Sequence, residues 1–169
     1  MFRVAGYVRA AALTAIAGAL CAQSPGTPAE EMAAQFTAIN RRVLEMAKDF
    51  PSDKYDFRLR PEMRSFGAVM VHIASGNVFA AKAGKAGKVN WDDWTELDAA
   101  KYNTKDAAVA LLEKSIEDAT ATLKSRPAES FNKSLEPWMS VIEHAGEHYG
   151  LLVAYYRANG IVPPASRKK

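Results

Sequence analysis

The feature that most constrains the fold is a run of four long segments with helical apolar spacing, separated by proline and glycine breaks. No strand-like alternation of useful length and no internal repeat accompanies them. The first segment opens at Thr27-Pro-Ala-Glu30, a capping box with proline at the first helical position. Met32, Phe36, Ile39, Val43 and Met46/Ala47 keep its period to Phe50, and Pro51 breaks it. The second is read from Pro61-Glu62 to Ala83, with Gly84 as its cap and Phe66, Val69, Met70, Ile73, Asn77 and Ala80 on its inner stripe. The third runs from Asn103 to Lys124, with a weaker stripe of Ala107, Ala110, Leu111, Lys114, Ile116 and Leu123. The fourth begins near Ser134-Leu-Glu-Pro137 and ends at Asn159-Gly160, with Trp138, Val141, Ile142, Ala145, Tyr149, Leu152 and Tyr156 facing inward.

Helices of about 20 residues, each apolar on one stripe, bury that stripe most simply in an all-α four-helix bundle. The second and third segments are separated by a long connection containing Asn90-Trp-Asp-Asp-Trp94. A connection of that length can run back along the bundle and make helices two and three parallel. It is also the kind of loop that lies over a site. Trp91 and Trp94 are expected to pin it to the bundle by burying their rings.

The first 22 residues read differently. Arg3 and Arg9 precede the apolar run Ala10–Leu20, which is too short to span a bilayer comfortably and is followed by small and turn residues. This is the pattern of a secretory signal peptide, with cleavage after Ala22 or after Ala19. Residues 23–169 then form one domain, exported to a periplasmic or extracellular location with no stable membrane anchor. Cys21 is the only cysteine, and the bulky Leu20 before it argues against a lipid anchor. The mature chain has no thiol, so neither a disulfide nor a cysteine nucleophile enters its chemistry. Loss of Arg3 and Arg9 from the 22 basic residues leaves 20 against 19 acidic ones, which provides no electrostatic footprint for nucleic acid. Arg167-Lys-Lys169 reads as a solvated tail, and Lys82–Lys88 as a solvated loop without the spacing of a phosphate-binding motif.

The chain has three histidines: His72, His144 and His148. His144 and His148 are one helical turn apart and project from one face. On a helical wheel they fall roughly 70–110° from the centre of the fourth stripe. His72 lies at the edge of the second stripe, near Ser65, Gly76 and Phe79. If those edges face each other, three ring nitrogens converge. Three imidazoles can hold a divalent metal and leave a position open for water or substrate, whereas closed structural sites use four protein ligands. Imidazole suits zinc, nickel, iron and copper, so the donor set leaves the metal open.

Other residues qualify this reading. His144-Ala-Gly-Glu-His148 fits H-x-x-E-H, in which Glu147 would be the general base, but the chain is short for such a protease and nothing acidic follows Glu147. Glu143 and Glu147 are the nearest candidate proton carriers. Asn77, on the inner stripe, is expected in the core or beside a ligand. Tyr155, two turns beyond His148, is a candidate donor to substrate. Arg58, Arg60 and Arg64, around the start of helix two, are read as ion-pairing residues.

Arg60–Asn77 and Ile142–Val153 resemble the second- and fourth-helix signatures of the DinB/YfiT-like metalloenzyme family, the latter through its H-x-x-x-H element. The similarity covers residues 28–165. It implies an up-down-down-up four-helix bundle, a nickel or zinc ion held by His72, His144 and His148, and often a homodimer. Relatives in that family include transferases and isomerases that use small cytosolic thiols. An exported member would meet little reduced thiol, which weighs against that chemistry here, and the expectation is a metal-dependent hydrolase or transferase of unknown substrate. The alternative is a non-catalytic periplasmic module that binds a metal or small ligand.

Overall fold

The computed structural model describes residues 26–168, so the signal-peptide reading of residues 1–22 and Cys21 lies outside the described residues. Four α-helices carry the fold: α1 (Pro28–Asp49), α2 (Phe66–Ala86), α3 (Lys105–Lys124) and α4 (Trp138–Ala158). Short 3-10 turns lie in the connections, and no strand occurs among the described residues. None of the described helices is long and apolar enough to cross a membrane.

The capping box of α1 forms as the sequence predicts: Glu30 N donates to Thr27 Oγ1 at 3.3 Å, and Thr27 N donates to Glu30 Oε2 at 2.7 Å. The start of α2 differs. Residues 61–64 form a turn, and Ser65 caps the helix by accepting from Ala68 N at 3.3 Å. Its first N–H groups are bound by the preceding loop, Phe66 N to Phe57 O at 3.0 Å and Gly67 N to Tyr55 O at 2.9 Å. That tertiary bonding satisfies donors that an N-terminus otherwise leaves free. The end of α2 also moves, because the helix continues through Lys82–Ala86 and stops at Gly87, whose φ is 67°. Lys82-Ala-Gly-Lys-Ala-Gly-Lys88 is therefore mostly a last helical turn rather than a loop. Gly84 has a packing role instead: a Cβ there would lie 2.8 Å from both Thr122 Cγ2 and Trp138 Cζ2.

Contacts at the helix ends establish the direction of each helix. Lys105 Nζ, at the start of α3, donates to the carbonyls of Lys48 (2.6 Å) and Phe50 (2.9 Å) at the end of α1. Tyr156, near the end of α4, donates to Met46 O at 2.7 Å, and Phe36 meets Trp138 edge-on at 6.2 Å near the starts of α1 and α4. The chain thus runs up-down-down-up, with α2 and α3 parallel. The inner stripe of α3 is Ala108, Leu112, Ser115, Ala119, Thr122 and Leu123. It is rotated from the expected one: Ala110 and Lys114 are exposed, and Ala108, Leu112, Ser115 and Ala119 take the inner positions at helical spacing.

Two apolar clusters fill the bundle. One surrounds Phe50, Phe66, Tyr155 and Tyr156, with Phe50 and Phe66 stacked at 3.8 Å; the other surrounds Phe36, Leu123 and Trp138. Between them, Asn77 Nδ2 donates to Asn40 Oδ1 at 3.2 Å and to Ser115 Oγ at 3.3 Å. These three buried polar groups satisfy one another, as buried polar groups must. The C-terminal segment is not wholly a solvated tail, since Arg167 clasps Asp49 through bonds of 2.8 and 2.5 Å.

Two glycines in helices provide a test. Gly84→Ala should destabilise the fold by about 1–3 kcal/mol through overpacking. Gly150→Ala, at an exposed position with nothing within 4 Å of its new Cβ, should stabilise it by up to about 1 kcal/mol. Urea midpoints of the two variants read both effects, and equal shifts of the same sign would contradict the packing assigned to Gly84.

Candidate metal centre

The three histidines meet where α2 faces α4. Each lies at the edge of its helix's buried stripe, and each is partly buried. Their candidate ligand atoms all lie within 4.8 Å of one another. His72 Nε2 and His144 Nε2 are 3.0 Å apart. The ring centroids form a nearly equilateral triangle of 4.7, 4.8 and 4.5 Å, and each pair of rings is steeply inclined. Metal–imidazole bonds are about 2.0–2.1 Å, so donors about 3 Å apart span one edge of a coordination shell. His148 Nδ1 is buried without a hydrogen-bond partner, an orphan that a bound ligand system would explain. The donor set, with its His72–His144 pair at that spacing, could hold a divalent ion.

Close backbone approach makes room for this cluster. A Cβ on Gly76 would lie 3.3 Å from His144 Nδ1 and 3.5 Å from the Trp94 ring. The connection between α2 and α3 covers the site. Trp94 stands edge-on to His72 at 6.2 Å and to His144 at 6.0 Å, while Trp91 stacks on Phe79 at 5.2 Å. Ser75 Oγ accepts from Leu97 N at 3.0 Å and ties the loop to α2.

That loop also delivers a residue that helical periodicity does not reveal. Glu96 Oε1 lies 3.2 Å from His72 Nδ1, and both Glu96 oxygens accept from Arg64, Nε at 3.1 Å and Nη2 at 2.9 Å. The imidazole contact is within reach but oblique, and Nδ1 has no well-aligned hydrogen bond. Arg64 is thus the ion-pairing residue expected of the arginines around helix two. Arg58 instead donates to the Met63 carbonyl at 2.5 Å.

Of the remaining candidates, neither Glu143 nor Glu147 joins the three histidines as a ligand. Asn77 is turned into the core polar layer. Tyr155 donates its hydroxyl to the Arg64 carbonyl. Glu143 and Glu147 are exposed on α4, and neither forms an ion pair or side-chain hydrogen bond among the described residues. A cleft of about 470 Å³ opens beside His148, lined by Glu62, Met63, Arg64, Val69, Leu151 and Tyr155.

Burial keeps the imidazoles neutral. His144 and His148 are each pushed down to about 4, first by desolvation and then by the neighbouring imidazoles and Arg64. His72 is lowered as well, because burial and the Arg64 charge outweigh the attraction of Glu96. Neutral imidazole is the metal-binding form. A folded-state pKa below the unfolded value means that the unfolded chain binds more protons in acid. The stability contributed by the neutral cluster is complete above pH 6.5 and is lost as pH falls towards 4. Metal-free protein should show a melting temperature that declines across that window, and His144→Ala should flatten the decline. An equal decline in both proteins would show that these groups do not set it.

Residues 35–153 match the family model of the DinB superfamily. No curated protein matches the chain. The match spans most of the bundle and includes all three histidines and the connection that covers them. With its helical order, it establishes that the chain belongs to the DinB superfamily.

Proposed function

We propose that this chain is an exported metalloprotein that holds one divalent ion, nickel or zinc, through His72, His144 and His148 and acts on a small molecule by hydrolysis or group transfer. The observation that carries the reading is the convergence of three partly buried, neutral imidazoles within 4.8 Å of one another. Three protein donors are the set of an open, catalytic-type site. When bound, the ion supplies Lewis acidity towards a carbonyl or phosphoryl oxygen and makes water acidic enough to yield a nucleophile near neutral pH.

The chain's own groups do the remainder. His72, from α2, and His144 and His148, from α4, set the donor geometry. Trp94 shields one side from solvent. The cleft beside His148 receives the substrate, its wall of Val69, Leu151 and Met63 set against the polar rim of Glu62 and Arg64. Glu147, with Glu143 one turn earlier, is the candidate proton carrier, on the exposed face of α4.

One observation favours a second reading, a non-catalytic periplasmic module that stores or senses a metal or binds a small ligand. The nearest carboxylate, Glu96, is already committed to Arg64 and His72, and Glu143 and Glu147 are exposed without partners among the described residues.

Purified protein refolded with zinc or nickel and dialysed should retain about one ion per chain by mass spectrometry, and His144→Ala should retain far less. Less than about 0.1 ion per chain in the parent, or unchanged content in the variant, would reject the site. An enzyme further requires turnover in a substrate panel that vanishes in His72→Ala while its helical circular dichroism persists. Turnover independent of all three histidines would reject the metalloenzyme. Export has its own test: the intact sequence, expressed in a bacterial host, should yield a periplasmic species whose mass begins after Ala19 or Ala22. A full-length cytoplasmic product would contradict it.

A further inference from the structure

We infer that Glu96 is a positioning residue for the metal centre: held by Arg64, it fixes the ring of His72 so that Nε2 faces the other two histidines. The inference rests on the metal-binding reading above. It adds the α2–α3 connection to the site as a working part.

Three observations carry it. The first is which nitrogen is engaged. Glu96 Oε1 lies 3.2 Å from His72 Nδ1, whereas the nitrogen beside His144 is Nε2, 3.0 Å from its counterpart. One ring thus presents opposite edges to the carboxylate and to the cluster, so Glu96 acts through His72 rather than as a fourth donor. A carboxylate facing Nδ1 favours a proton there and leaves the lone pair on Nε2.

The second observation is that Glu96 is itself held. Arg64 grips both its oxygens, a fork geometry that lysine cannot reproduce. Arg64 is anchored in turn, because its carbonyl accepts from the hydroxyl of Tyr155 on α4. The path from Tyr155 through Arg64 and Glu96 to His72 therefore links α4, which carries two of the histidines, to the third on α2. The relative placement of the donors depends on side chains as well as on helix packing.

The third is that Glu96 sits on a loop otherwise fastened at this level. Leu97 N bonds to buried Ser75, and Trp94 lies against His72 and His144. A surface ion pair chosen for stability alone needs no such support, since exposed pairs contribute little.

The test compares the full chain with Glu96→Ala, Glu96→Gln and Arg64→Met. Zinc affinity is measured by competition with a chromophoric chelator, and the His72 tautomer by ¹H–¹⁵N correlation in the metal-free protein. Glu96→Ala should weaken zinc binding about 10–100-fold, the range for loss of an outer partner of a metal-bound histidine. Glu96→Gln, which keeps an acceptor but loses the charge, should lie between Ala and the parent. Arg64→Met should weaken binding, and Glu96→Ala should then cost less in that background than alone. His72 should carry its proton on Nδ1 in the parent and shift towards Nε2 in Glu96→Ala. Parental zinc affinity in Glu96→Ala, or an unchanged His72 tautomer, would overturn the inference. If Glu96→Ala failed to fold, parental affinity in Glu96→Gln together with Arg64→Met would overturn it equally. Failure of the underlying reading looks different: the parent itself would bind no zinc, or would bind it unchanged after His72→Ala.

Discussion

The parallel packing of α2 against α3 is the constraint on which the rest of the structure depends. Small residues, among them Gly84, Ala108, Ser115 and Ala119, let the two helices approach closely. Parallel neighbours cannot be joined by a short turn. The chain must return about 30 Å along the bundle, the length of α2 itself. Residues 87–104 provide up to about 60 Å of extended chain for that journey, enough to leave slack for two 3-10 turns. The return path crosses the face where α2 meets α4. It brings Trp94 against His72 and His144 and Glu96 against His72, and it explains why α2 is buried around most of its circumference.

The same arrangement accounts for the electrostatics. The histidines occupy helix edges that the covering loop converts from surface to partly buried interior. Desolvation then opposes protonation of each ring, and proximity opposes it further. The result is a cluster of neutral donors, together with the buried, unpartnered Nδ1 of His148. Three neutral imidazoles converging beside an unpartnered ring nitrogen are the physical case for a ligand.

Much of this was legible in the sequence because it is periodic. Helical spacing gave four helices and their inner stripes on α1, α2 and α4, and the i, i+4 spacing of His144 and His148 placed both rings on one edge. The long second connection announced the parallel pair. What periodicity could not show depends on tertiary contact. The start of α2 is set by loop carbonyls at Tyr55 and Phe57, so Pro61-Glu62 misled. The stripe of α3 mixes Ala108, Ser115, Ala119 and Thr122 with Leu112 and Leu123, so hydrophobicity marks it weakly and Ala110 and Lys114 are not distinguished from it by pattern. Gly84 looked like a helix stop but is a close-packing position. Glu96 carries no local signal at all, since its partners are Arg64 and His72, far away in sequence and reached only when the loop folds back. Arg167 likewise finds Asp49 only through the packing of the C-terminal segment against the end of α1.

The proposed function requires that His72, His144 and His148 together bind one divalent ion. X-ray absorption at the metal edge of zinc- or nickel-loaded protein tests it most directly. A first shell containing three imidazole nitrogens at about 2.0–2.1 Å, with the outer-ring scattering characteristic of histidine, is expected. A first shell of oxygen alone, or a single imidazole, would contradict it.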